Sequence, residues 1–142
     1  MVYAEGPNYR FEVDGAIATC RVWRRPDLDS DAGARCAREM TAHFRTLSLA
    51  APTVARAIIM DVREAPAVAG PQTLDALGEL MKSWEAVKRP VAVVVGPAPI
   101  QALQYRRLVA QHAAHYGGLF SDPDSATRWI EQRSPSSRPG NR

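Results

Sequence analysis

The chain has 142 residues, with 46% hydrophobic and 23% charged residues. That is ordinary composition for one domain, and it excludes a chain disordered throughout, a collagen-like rod or a coiled coil. The formal net charge is +3, but three of the 18 basic residues (Arg133, Arg138 and Arg142) fall in the last ten, which hold no acid. The remaining body is neutral, at 15 bases against 15 acids, so the charge gives no basis for nucleic-acid binding. No apolar run approaches the ~20 residues of a membrane span. The first ten residues lack the apolar core of a secretory signal. Two cysteines, Cys20 and Cys36, are too few for a disulfide framework and read as buried free thiols of a cytoplasmic protein. Arginine outnumbers lysine 16 to 2 and alanine occurs 23 times, a bias that fits a GC-rich, bacterial coding sequence.

In chain order, residues 1–8 read as a flexible leader. Tyr9, Phe11 and Val13 alternate with Arg10, Glu12 and Asp14, the period of a strand. Asp14-Gly15 signals a tight hairpin into a second strand over residues 16–24, antiparallel to the first. The acidic, cap-rich stretch 26–31 opens a helix over about 29–49, with Cys36, Met40, Phe44 and Leu47 on one stripe. Residues 56–62 and 91–95 are uninterrupted apolar runs of strand length, the mark of inner parallel strands buried on both faces. A helix over about 71–88 lies between them, opened by Pro71. A third helix over about 99–116, a short strand at 119–121 and a last helix over about 123–132 follow. The segment 133–142 reads as a disordered basic tail. Alternation of strands and helices predicts an α/β domain over 9–132: a mostly parallel five-stranded sheet with an N-terminal antiparallel hairpin and four helices. If the strands run consecutively, right-handed crossovers put their helices on one face. The other face then needs a cover: the hairpin, the last helix or a second subunit.

Sites in such sheets gather beyond the carboxyl ends of the parallel strands, here the loops at 61–73, 96–99 and 121–123. The strand ending in Asp61, the loop through Pro66 and Val68, the helix from Pro71, Val91–Val95 with Gly96, and Leu119-Phe120 before Ala126, Trp129 and Ile130 resemble the STAS domain of sulfate transporters and anti-sigma-factor antagonists. The resemblance covers residues 9–132 and implies a habit of binding partner proteins. Antagonists of that family carry a phosphorylatable serine at the start of the helix. The matching positions here are Ala69, Gly70, Pro71 and Gln72, with no hydroxyl before Thr73, so the phosphoswitch is not expected.

The leading functional expectation is a non-catalytic, regulatory protein-interaction module, binding a partner or a second copy of itself through Arg63, Glu64, Val68, Gln72, Thr73, Ile100 and Leu103. The alternative is a small-ligand or lipid binder of STAS-like or Sec14-like type, which requires an apolar pocket at the strand ends. A third is a small hydrolytic enzyme using Asp61, Glu64 and Asp122. No phosphate-binding glycine motif and no nucleophile elbow appear, so no cofactor is expected. His112 and His115 have ligand spacing, but only His43, on another helix, is available as a third imidazole, and no metal is expected.

Overall fold

The computed structural model describes residues 1–133. Six strands form one mixed sheet in the order β1-β2-β3-β4-β5-β6: β1 (Val2–Gly6), β2 (Tyr9–Asp14), β3 (Ile17–Trp23), β4 (Ala57–Glu64), β5 (Val91–Val94) and β6 (Gly117–Phe120). The first three are an antiparallel meander, and β3 to β6 are parallel. The helices are α1 (Ser30–Leu49), α2 (Pro71–Ala86), α3 (Pro99–His112) and α4 (Pro123–Arg133). The fold is therefore α/β with four helices, but with six strands rather than five. The added strand, β1, lies in the stretch expected as a leader. It pairs with β2 along the edge of the sheet. Of the basic tail expected at 133–142, Arg133 closes α4 and donates to the carbonyl of His115 at 2.6 Å; the rest lies outside the described residues.

The β2–β3 hairpin turns through Gly15 and Ala16, both at positive φ, so that Asp14 pairs with Ile17. This is the two-residue loop whose twist suits adjacent antiparallel strands. It sits one residue later than Asp14-Gly15 suggests, and Ala16 takes the left-handed conformation that β-carbon sterics disfavour.

Alternation along the strands divides the core. Ala18, Cys20, Ile58, Met60, Val62, Val91 and Val93 face α1, α2 and α3 and share a core with Met40, Phe44, Leu80, Met81 and Trp84. Ala57, Ile59, Ala92 and Val94 face the opposite way, onto Ala126 and Ile130 of α4. Consecutive strand order with crossovers of one hand places α1 to α3 together on one face. The cover of the other face is α4, which touches β4, β5 and β6. Both cysteines are free and buried. Among the described residues, no helix is long and apolar enough to cross a membrane.

Candidate functional site

A cavity of about 540 Å³ opens where the carboxyl ends of β3 and β4 meet the first turns of α1 and α2. The local sequence explains the space. Gly33 and Ala37 on α1, Ala65 and Ala69 in the β4–α2 loop, and Gly70 at the cap of α2 all line it, and none has a side chain beyond a methyl group. Larger side chains at these positions would fill the space over the strand ends. The floor is mainly apolar: Val22, Met40, Val62, Leu77 and Tyr105 line the cavity and are buried. The rim is wet, with Arg24, Arg25, Ser30 and Gln72 exposed. The volume lies within the ~300–1,000 Å³ usual for small-molecule sites.

Two glutamines of α3 hold the wall of this cavity. Gln101 is only 2% exposed. Its amide nitrogen donates to the carbonyl of Val62 at 2.9 Å, and its amide oxygen accepts from the N–H of Gly96 at 2.7 Å. One side chain therefore ties the ends of β4 and β5 to α3. Gln104 accepts from the N–H of Ala69 at 2.9 Å and fixes the loop just before α2. On the floor, Tyr105 is 2% exposed, and its hydroxyl makes no hydrogen bond among the described residues. Burial pushes its phenol well above the usual range, so it stays a protonated donor.

The expected binding residues separate into three places. Gln72 and Thr73 line the cavity. Val68, Ile100 and Leu103 are exposed and lie outside it, with Val68 the most open at 60%. Arg63 and Glu64 turn to the opposite face of the sheet. Arg21 pairs with Asp61 but Trp23 pairs with Glu64, so β4 carries an extra residue against β3. Such a bulge changes which side the following residues face. Arg63 grips Asp61 through two nitrogens at 2.9 and 2.7 Å, and Glu64 accepts from Arg21 at 2.7 Å.

The carboxylates considered for acid–base work each have a different partner. Burial raises the Asp61 carboxyl, but the hydrogen bonds and charge of Arg63 outweigh it and leave it below the usual carboxylate range. Asp122 accepts from the backbone N–H and the hydroxyl of Ser125 at the start of α4, and these bonds hold it low. The histidines stand apart. His43 packs among the rings of Tyr3, Tyr9 and Phe11. His112 lies against Gly78, where a β-carbon would come within 3.0 Å of the imidazole. His115 pairs with Glu85 at 2.8 Å. Among the described residues, no three His, Cys, Asp or Glu side chains converge as a metal site.

Gln101, Gln104 and Arg24 are not among the residues the sequence points to as a site, and Tyr105 falls on the spacing of an apolar helix stripe with Val109, Ala113 and Tyr116. A polar residue at a stripe position one turn before Tyr105 was the available signal for Gln101. Nothing in the sequence marks a tyrosine hydroxyl that will lack a partner. Comparison of the chain with protein-family models, with curated proteins and with solved structures finds no match to any of them.

Proposed function

We propose that this chain is a non-catalytic binding module whose cavity at the ends of β3 and β4 takes a small, largely apolar molecule. The observation that carries this reading is the cavity floor: buried apolar side chains around a tyrosine hydroxyl that has no partner within the described residues. That hydroxyl is an open donor, and a ligand acceptor atom would engage it. The reading is of STAS-like or Sec14-like type. It draws support from the consecutive parallel strands and from the loop before α2, where Ala69, Gly70, Pro71 and Gln72 offer no hydroxyl to phosphorylate.

The test uses the neutral fluorescent probe N-phenyl-1-naphthylamine. Gly33 lines the cavity, and a β-carbon built there meets nothing within 4 Å, so Gly33→Leu is the substitution chosen to extend a side chain into the space. Leucine is also the better helix former, by roughly 0.5–1 kcal/mol. The wild type should bind the probe saturably at one per chain. Gly33→Leu should bind at least about tenfold more weakly while melting no lower than wild type. Equal binding by the two proteins, or no saturable binding by the wild type, would contradict the reading.

A second reading, docking of a protein partner or a second copy, is favoured by one observation. Val68, Ile100 and Leu103 are all exposed, on a loop and helix that Gln101 and Gln104 bind together. Val68→Glu with Ile100→Glu should abolish partner recovery or self-association if that surface is used, and should leave probe binding intact.

A further inference from the structure

We infer that the ligand of this cavity is an amphipathic anion: an apolar body lying against Val22, Met40 and Leu77, and a carboxylate, sulfonate or phosphate monoester held at the rim between the first turn of α2 and Arg24. The inference rests on the proposed binding role of the cavity and adds the chemistry of what binds.

Charge is the first argument. The cavity lining contains two arginines and no carboxylate. Arg25 is already engaged, with Asp27 at 2.7 and 2.6 Å and with the carbonyl of Pro7 at 2.9 Å. The Arg24 guanidinium has no hydrogen bond or ion pair among the described residues. The Arg24 backbone is held at the rim, because its N–H donates to the carbonyl of Glu64.

The two helices that open on the cavity supply the second argument. The start of α1 is satisfied from within the chain: Asp29 accepts from the N–H of Ala32, and Asp31 lies in the first turn. The start of α2 is not. Gly70 has no side chain to cap it, Pro71 follows, and its first turn contains no acid. The N–H groups of Gln72 and Thr73 have no acceptor among the described residues. A helix start in that condition presents free donors and a partial positive charge, and an anion answers both.

The third argument is independent of the rim. Tyr105, 2% exposed, lines the same cavity, and its protonated hydroxyl has no hydrogen-bond partner among the described residues. A site lined only for hydrocarbon would not place a donor there. The ligand is therefore polar at its outer end, apolar along its body, and carries an acceptor atom at its inner end.

The test compares two probes that differ by one sulfonate, N-phenyl-1-naphthylamine and 8-anilinonaphthalene-1-sulfonate, titrated into the full chain. The sulfonate should bind roughly tenfold tighter at low salt, the preference shrinking as salt rises. In Arg24→Gln the preference should fall to about threefold or less, with melting unchanged because the replaced side chain is exposed and unpaired. Equal affinities for the two probes, or a preference untouched by Arg24→Gln, would overturn the anionic end while neutral-probe binding still supported the cavity. If neither probe binds the wild type, the cavity reading itself falls, and this inference with it.

Discussion

On one face of the sheet, α1, α2 and α3 bury a continuous core that reaches from Phe11 on β2 to Val93 on β5. On the other, α4 gathers a small core of Ala57, Ile59, Ala92 and Val94. Beyond α4, the outward side of β2 and β3 is polar. It carries Arg10 beside Glu12 and Arg21 beside Glu64, around a shallow depression shared with Glu5, Trp23 and Arg24. The difference lies in what each face can hold. Exposed ion pairs contribute little and accommodate many neighbours. A cavity with an apolar floor exists only where thick packing surrounds it, so the candidate site belongs to the heavily covered face, at the strand ends where its helices begin with small residues.

The largest expected effect separates the two cores. Trp84 of α2 is fully buried, whereas Trp129 of α4 is partly exposed and lies against Phe120 with tilted rings, 5.2 Å between centres. In urea unfolding, Trp84→Ala should cost about 3–5 kcal/mol and Trp129→Ala about 1–2 kcal/mol. Equal losses would mean that the faces share stability evenly.

A smaller effect is expected at Gln101. Replacing it with leucine keeps the volume but leaves the Gly96 N–H without its partner and the Val62 carbonyl with only the N–H of Ala65 among the described residues. The expected loss is about 1–3 kcal/mol, with faster amide exchange at the strand ends. Unchanged exchange at Gly96 would show that the glutamine does not hold the rim.

On the opposite face, Asp61 sharpens the comparison through pH. Its folded pKa is depressed by Arg63 against the pull of burial. The pair therefore stabilises the fold above the unfolded carboxylate value near about 4, and the contribution is lost as pH falls through the folded value. Asp61→Asn should be less stable than wild type by about 1–2 kcal/mol at pH 7, the gap closing in acid. A gap that stays constant down to pH 2 would assign the loss to something other than the charge.

Much of this architecture was legible in the residues because burial leaves a mark on composition. The apolar runs at 56–62 and 91–95 read as inner strands, and Met60 and Val94 lie in the adjacent parallel strands β4 and β5 of one sheet, as such runs require. Strand β1 was not legible: Val2, Tyr3 and Glu5 are exposed, so no apolar alternation announces the strand, and only its pairing with β2 defines it. Helix α3 ends at His112 rather than 116; the apolar spacing of Ala113 and Tyr116 continues although the backbone does not. The gathering of loops at the strand ends followed from topology, but the partition of its residues did not. Arg63 follows Ala57, Ile59 and Asp61 to the far face by plain alternation, but a single extra residue in β4 sends Glu64 there as well, and no local pattern encodes that bulge. Nothing local marks Arg24 and Arg25 as rim residues, because the cavity beside them is made by residues far away in the chain.

The most direct test of the account is methyl NMR on the methionines during addition of N-phenyl-1-naphthylamine. Met40 lines the cavity, while Met60 and Met81 are buried outside its lining. The account predicts that the Met40 methyl shifts and saturates at one probe per chain while Met60 and Met81 stay in place. A Met40 methyl that does not move while the probe's fluorescence reports binding would place the binding elsewhere and contradict it.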